Sequence, residues 1–134
     1  VCLPVCLCVC VCVCVLERAR DSTCVWLRHD RLSVQCMFEE MRAMIALQRA
    51  VYGTTITPKD ALYAATTAGA RALGMENEIG SLAAGHASDL AVVDLSRARH
   101  RPAADPTAAV VQSAVVGDVI AVMIDGVWRF RSAP

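Results

Sequence analysis

The side chains that could carry hydrolytic chemistry are few and scattered along the chain. There are three histidines, His29, His86 and His100, and no His-x-His pair of the kind that binds a divalent metal. His29 precedes Asp30 directly, but adjacent residues on a strand point to opposite faces, so no catalytic dyad is predicted from them. We expect His86 to be a solvated turn residue and His100 a solvated loop residue.

The cysteines are the second group of side chains that could bind a metal or form covalent bonds. Of the eight in the chain, six occur in residues 1–15, where Val and Cys alternate. On a strand, every second position shares one face, and thiolates on one face suit a soft metal. The bulky apolar residues between them favour a buried or aggregating strand instead. A disulfide framework is disfavoured, because same-face neighbours are poorly placed to pair. The five cysteines that would share a face are Cys6, Cys8, Cys10, Cys12 and Cys14.

The alternation itself has a simpler explanation. A DNA tract of alternating G and T encodes only Val and Cys, and the chain begins with Val. The favoured interpretation is a translated dinucleotide repeat in a partial gene model. A short membrane anchor is an alternative, since residues 1–16 are apolar and Arg18 and Arg20 follow. They fall short of the roughly 20 residues that a spanning helix needs, so membrane association is disfavoured.

Length and composition restrict the number of domains, the class of partner and the redox setting of the chain. The 134 residues suffice for one domain at most. Thirteen basic residues balance thirteen acidic ones, so no nucleic-acid partner is predicted. No cysteine follows Cys36, which favours a reducing, cytoplasmic setting for the remainder. The charged run at residues 97–101 is predicted to be solvated rather than to bind an anion.

The spacing of apolar residues predicts two helices after Cys36. The first covers residues 37–51, with Phe38, Met41, Ile45 and also Leu47 and Val51 as its apolar face, and Gly53 ends it. The second begins at residues 57–60, where Thr caps, Pro occupies the first position and Asp follows. It ends at Gly74, and its internal Gly69 predicts close packing against another element. Between these two stops the chain is therefore mainly helical.

Strand signals dominate after Gly74. Residues 79–82 read as a short extended piece, and residues 90–95 as an apolar strand. Asp105 is the predicted cap of a short helix through Ala114. Residues 119–124 form another strand, Asp125-Gly126 is a two-residue hairpin turn, and residues 127–130 return. Trp128 and Phe130 are expected on one face of that hairpin, in core or interface packing.

Five sequence blocks in this order resemble the carboxyl-terminal end of the metal-dependent amidohydrolase superfamily. They are FEEMR at 38–42, TPKDAL at 57–62, ATTAGARALG at 65–74, IGSLAAGHASDLAVVD at 79–94 and VMIDG at 122–126. The branch they are most similar to contains cytosine and guanine deaminases, adenosylhomocysteine deaminase and triazine hydrolase. His86 stands where the family usually has Lys or Arg, and Ser88 where it usually has Ala.

The resemblance implies an α/β fold class, a carboxyl-terminal fragment of a TIM-like (β/α)₈ barrel with part of a small β-sandwich. Residues 1–36 would be a low-complexity Val/Cys segment and linker, and residues 37–134 the amidohydrolase region. Within it, residues 37–74 would be the last barrel helices and residues 75–134 the sandwich strands. These elements normally bury apolar faces against other barrel strands, so we expect exposed hydrophobic surface and poor solubility.

Family chemistry is metal-dependent hydrolysis of carbon–nitrogen bonds, often deamination of a small heterocyclic substrate. Its ligands, a His-x-His pair, two further His and an Asp, all lie upstream of the position of Phe38. The resemblance therefore implies no catalytic, cofactor-binding or metal-binding residue in this chain, and an inactive fragment. Zinc or iron and the substrate belong to full-length relatives. Three alternatives stay open: a non-enzymatic piece that docks onto a relative through exposed strands, a membrane-anchored protein, and a homo-oligomer.

Overall fold

The computed structural model describes residues 36–53, 55–101 and 104–132, together with the backbone of three short strands nearer the amino terminus. Helices and strands are mixed, so the α/β class is confirmed. In chain order the elements are β1 (Cys2–Pro4), β2 (Cys12–Cys14), β3 (Cys24–Trp26), α1 (Met37–Tyr52), α2 (Pro58–Tyr63), a π-helical turn (Ala64–Ala68), α3 (Gly69–Ala72), β4 (Leu90–Val93), a 3₁₀ turn (Ala98–His100), α4 (Pro106–Ser113), a second 3₁₀ turn (Val116–Asp118), β5 (Val119–Ile124) and β6 (Val127–Arg131).

The main sheet has four antiparallel strands in the order β1-β4-β5-β6, and β2 and β3 form a separate two-stranded pair. The turn between β5 and β6 is the predicted one. Asp125 has φ 50° and Gly126 has φ 72°, which is the left-handed backbone that a two-residue hairpin turn of this type requires. The short connection therefore fixes β5 and β6 as neighbours.

The register of the hairpin corrects one expectation. Trp128 pairs with Met123, whereas Phe130 pairs with Val122, so one extra residue, Arg129, is accommodated in β6. Directly paired residues share a face, and Val122 and Met123 are consecutive, so they point to opposite faces. Trp128 and Phe130 therefore lie on opposite faces of the hairpin, and the prediction of a common face was wrong.

Helix α1 ends where predicted but buries a different face. Gly53, with φ 63°, takes the left-handed position after the last turn. The buried residues are Phe38, Met41, Met44 and Gln48, a set with helical spacing. Leu47 and Val51, predicted for the apolar face, are 37% and 60% exposed. Both lie to one side of the buried set, with Val51 next to Met44 on the helical wheel, so hydrophobicity alone did not distinguish these two positions from core positions.

Helices α2 and α3 join through the π-helical turn into one continuous helix. Its start is the predicted capping box: Asp60 N–H donates to Thr57 Oγ1 at 3.3 Å, and Thr57 N–H donates to Asp60 Oδ2 at 2.9 Å. Its end is the predicted stop, because Met75 N–H reaches back to the Ala70 carbonyl at 2.9 Å around Gly74. Both boundaries were thus readable from local sequence.

The segment after this helix contains turns rather than the predicted extended piece. Gly80, with φ 85°, lies against the helix so closely that a Cβ built on it would come within 2.6 Å of Ala70 Cβ and 3.0 Å of the Thr66 carbonyl oxygen. Thr67 Oγ1 donates to the Gly80 carbonyl at 3.0 Å. The close packing that Gly69 suggested is therefore found at Gly80, where the loop crosses the helix.

The core lies where α1, α2, α4 and β4 meet. Asp105 caps α4 as predicted, accepting from Thr107 N–H at 2.9 Å. At the other end of α4, Arg42 Nη1 on α1 donates to the Ala114 carbonyl at 3.0 Å and to the Val111 carbonyl at 3.4 Å. The last carbonyls of a helix have no partner within it, so this guanidinium satisfies them and ties α1 to α4.

Replacing Arg42 with alanine should lower the free energy of unfolding by about 1–2 kcal/mol, since charge-assisted hydrogen bonds to partly buried carbonyls are lost. Urea denaturation of the 134-residue chain, followed by circular dichroism, measures this. Arg49→Ala is the matched control, because Arg49 is an exposed arginine in the last turn of the same helix. Equal losses for the two variants would contradict the capping role of Arg42.

None of the helices in the described ranges combines the length and the apolarity that crossing a membrane requires. The anchor considered for residues 1–16 lies outside the described residues, apart from the backbone of β1 and β2.

Candidate functional site

The three histidines do not come together in the described structure. His29 and its neighbour Asp30 lie outside the described residues. His86 is half-buried in a turn, with Nδ1 3.2 Å from Ser81 Oγ. His100 is 4% exposed, so the prediction of a solvated loop residue was wrong. The reason is a polar cluster that surrounds His100 and that the sequence did not reveal.

Asp118 is the centre of this cluster. Its side chain is fully buried, and the backbone N–H of Val115 donates to Oδ2 at 3.0 Å. Arg99 Nε donates to Oδ2 at 3.2 Å, and Arg99 Nη2 donates to Oδ1, which makes the pair bidentate. Arg97 Nε lies 3.6 Å from Oδ1. Arg97 and Arg99 of the charged run therefore do contact an anion, and it is a carboxylate of the same chain.

The balance of forces on Asp118 favours its charged form. Burial raises the pKa of the carboxyl, because a charge is costly away from water. The hydrogen bonds from Arg99 and from Val115 N–H, and then the electrostatic influence of Arg99 and His100, act in the opposite direction and outweigh burial. The net result is a pKa below the ordinary value, so Asp118 is a permanent anion at neutral pH.

Ser113, His100 and Asp118 lie in the order of a nucleophilic triad. Ser113 Oγ is 2.7 Å from His100 Nδ1, and His100 Nε2 is 3.3 Å from Asp118 Oδ2. The second contact is an ion-pair distance, yet Nε2 makes no hydrogen bond of acceptable geometry with the described residues. The contact is therefore an ion pair only when the ring is protonated.

The hydrogen-bond network argues against general-base catalysis by this arrangement. Ser113 Oγ donates its only proton to the Ala109 carbonyl at 2.7 Å. The contact between Ser113 and His100 must then have Nδ1–H as the donor, so this ring nitrogen has no lone pair to accept a proton from the hydroxyl. In addition, Arg99 donates hydrogen bonds to both oxygens of the Asp118 carboxylate, which in a triad would orient the imidazole ring. The cluster is an internal ionic junction between α4, the two 3₁₀ turns and the start of β5.

A divalent metal does not fit the described residues. Within residues 36–53, 55–101 and 104–132, no three side chains of the His, Cys, Asp and Glu types come close enough to hold one. The fully buried carboxylate of Asp118 already contacts Arg97, Arg99 and His100. The expectation that this chain contributes no metal ligand stays a prediction, because His29, Asp30 and most cysteines are not described.

Comparison with known sequences gives a consistent result. The model of the amidohydrolase family matches residues 21–129. A 5-methylthioadenosine/S-adenosylhomocysteine deaminase of Acetivibrio thermocellus is 41% identical over 92 residues, which are 67% of this chain and 21% of that protein. An S-triazine hydrolase of Gordonia rubripertincta is 35% identical over 92 residues, 67% of this chain and 19% of the relative. The chain spans about a fifth of the length of these curated relatives.

Solved structures agree with the sequences. An adenosine deaminase of Xanthomonas campestris, crystallised with bound zinc, superposes with a TM-score of 0.69 at 35% identity, covering 72% of this chain and 22% of that one. The guanine deaminase of E. coli superposes with a TM-score of 0.63 at 18% identity, covering 71% and 24% of the two chains, a likeness of fold. The order of blocks, the family match over most of the chain and the shared fold together show that this chain belongs to the amidohydrolase family.

Proposed function

We propose that this chain is the carboxyl-terminal part of a metal-dependent hydrolase that deaminates a small heterocyclic substrate by breaking a carbon–nitrogen bond. The observation that carries the proposal is the 41% identity over 92 residues with a methylthioadenosine/adenosylhomocysteine deaminase. The zinc in the related Xanthomonas campestris structure supports metal dependence of the complete enzyme. The cytoplasmic location and the lack of a nucleic-acid partner stay predictions from composition.

The antiparallel sheet supports a division of the chain into two parts. Barrel strands of the (β/α)₈ type are parallel, whereas β4, β5 and β6 pair antiparallel and two of them form a tight hairpin. We therefore assign residues 37–74 to the last barrel helices and residues 75–134 to a sandwich that lies beside the barrel. Residues 1–36 stand apart as a low-complexity segment and linker.

In this proposal the described residues support the enzyme but do not perform the reaction. A metal-bound water would supply the nucleophile in the complete enzyme, and its ligands would come from outside the described residues. The ionic junction around Asp118 holds α4 against the start of β5, and the core joins α4 to α1 and α2. The chain alone is accordingly proposed to be inactive.

A chimera tests the assignment. In the Acetivibrio thermocellus deaminase, the segment that matches this chain is replaced by residues 36–134. We expect the chimera to bind zinc and to deaminate methylthioadenosine with kcat/KM within about tenfold of the parent, since the catalytic groups are untouched. The 134-residue chain assayed alongside is expected to show no turnover.

Two results would overturn the proposal. One is a folded, zinc-loaded chimera without deaminase activity, because the segment would then not serve as the end of such an enzyme. The other is stoichiometric zinc or iron in the 134-residue chain, with turnover that a chelator abolishes. The second result would show a metal site within this chain.

A further inference from the structure

The hairpin of β5 and β6 brings together two side chains that a regular strand would separate. Arg131 Cζ lies 4.3 Å from the centroid of the Trp128 ring, which is a cation–π contact. Residues three apart on a regular strand point to opposite faces. The extra residue Arg129 removes this separation, because Trp128 pairs with Met123 and Arg131 pairs with Ala121, two residues further on the same face. The stack of Arg131 on Trp128 therefore depends on the bulge.

A second register is compatible with the same turn. The two-residue turn fixes the pairs next to it, but it does not fix the pairing of the residues beyond Trp128. If pairing continued there one residue for one, Arg129 would lie opposite Val122, and Phe130 opposite Ala121. Every side chain of β6 after Trp128 would then point to the other face.

The bulged register has a cost that this regular register would not have. The bulge interrupts the ladder and leaves Arg129 without an opposite residue. The bulged pairing nevertheless continues to the end of the strand, where the Ser132 N–H donates to the Ile120 carbonyl at 2.8 Å. A contact that occurs only in the bulged register must offset the interruption.

The stack is such a contact. Phe130 has an apolar neighbour opposite it in either register, Val122 in one and Ala121 in the other, so its contribution differs little between them. Arg131 lies on the face of Trp128 in the bulged register alone.

We propose that the stacking of Arg131 on Trp128 selects the bulged register, and that the hairpin is a two-register element. The choice of register sets the chemistry of one sheet face. In the bulged register the face of Val122 carries Phe130, which is 48% exposed. In the regular register the same face carries Arg129 and Arg131 instead. Loss of the stack thus converts an apolar part of this face into a basic one.

Nuclear magnetic resonance of the 134-residue chain measures the register. The α-carbons of an antiparallel pair that is not hydrogen-bonded lie only about 4.5 Å apart. Ala121 is in such a pair, because the neighbouring pair of Ile120 and Ser132 is the hydrogen-bonded one. The α-proton of Ala121 should therefore show a nuclear Overhauser effect to the α-proton of Arg131 in the bulged register and to that of Phe130 in the regular register.

Arg131→Ala removes the stack. The ratio of bulged to regular register should fall about two- to fivefold, and the signal between Ala121 and Phe130 should appear. Arg131→Lys keeps a cation at this position, so this variant should retain the register of the unsubstituted chain. Circular dichroism melts check that each variant folds.

Deletion of Arg129 provides the matched control. Without the extra residue, Phe130 follows Trp128 directly and lies opposite Val122 in a regular ladder. Arg131→Ala in this background should leave the register unchanged. The proposal is overturned if Arg131→Ala in the full chain shows no signal between Ala121 and Phe130, or if that signal is as strong in Arg131→Lys as in Arg131→Ala.

Discussion

Replacing Asp118 with alanine should destabilise the 134-residue chain by about 2–3 kcal/mol, because buried groups that contact this carboxylate lose their acceptor, while Arg99, 39% exposed, can return to solvent. The carboxylate is fully buried, accepts two hydrogen bonds from Arg99 and one from the Val115 N–H, and lies 3.3 Å from His100 Nε2. Without it, the buried imidazole and N–H lose their partner. Urea denaturation followed by circular dichroism gives the free energy of unfolding.

Asp105→Ala serves as the comparison for this variant. Asp105 is exposed and accepts one hydrogen bond as the cap of α4, so its loss should cost about 1 kcal/mol. Arg99→Ala, combined with Asp118→Ala in a double-mutant cycle, then isolates the coupling between the two side chains. Comparable losses for Asp118→Ala and Asp105→Ala would contradict a central role for the ionic junction.

The same carboxylate predicts a pH dependence with a definite sign. The folded chain holds the pKa of Asp118 below its ordinary value, so the folded state binds the proton more weakly than the unfolded state does. The stability that Asp118 contributes is therefore complete above the unfolded pKa of about 3.9 and is lost as the pH falls through the folded pKa. Hydrogen bonds from Thr57 lower the pKa of Asp60. The contribution of Asp60 to stability is therefore also lost in acid.

Free energies of unfolding measured between neutral pH and about pH 3 report the sum of such contributions, and a substitution of Asp118 isolates its own. Asp118→Asn removes the titrating group with little change of shape, so its curve should fall less steeply in acid than that of the unsubstituted chain. Parallel curves for the two proteins would show that Asp118 does not titrate differently on folding.

Gly80→Ala is the second substitution with a large expected effect, a loss of at least about 2 kcal/mol. Two causes act together. The backbone has φ 85°, which is unfavourable for alanine, and the new methyl group would lie 2.6 Å from Ala70 Cβ, well inside contact distance. The loop must then move away from the helix, which also strains the hydrogen bond from Thr67 Oγ1 to the Gly80 carbonyl.

Gly85→Ala separates the two causes. Gly85 has φ 90°, close to that of Gly80, but nothing lies within 4 Å of a Cβ built on it. Its substitution should therefore carry only the backbone strain, about 1 kcal/mol. The difference between the two variants in urea denaturation reports the clash with Ala70. A loss for Gly80→Ala no larger than that for Gly85→Ala would contradict close contact between the loop and the helix.

Local signals in the sequence predicted most element boundaries. Thr57 and Asp105 cap helices, Gly53 and Gly74 end them, and the hairpin turns at Asp125, because each of these features depends on a few neighbouring residues. The buried face of α1 was harder to predict. Alanine, leucine and valine line one side and methionines the other, so hydrophobicity could not say which side meets α4.

The ionic junction could not be predicted in the same way. Arg99 and Asp118 are 19 residues apart, and the residues next to each of them do not indicate that the two side chains form a pair. A single acid between Gly117 and a run of apolar residues was the available signal, since an isolated charge beside a strand needs a partner when it is buried. The contact depends on how α4 folds back against β5, and that is a tertiary property.

The π-helical turn at Ala64–Ala68 affects which side chains of this helix meet the loop that follows it. Such a turn contains one residue more than an α-helical turn, and each residue advances an α-helix by about 100°. This additional residue rotates the last part of the helix, which contains Ala70, relative to a uniform α-helix. The loop at Gly80 packs against the Ala70 methyl group, so the contact between helix and loop depends on where the π-helical turn places that methyl group.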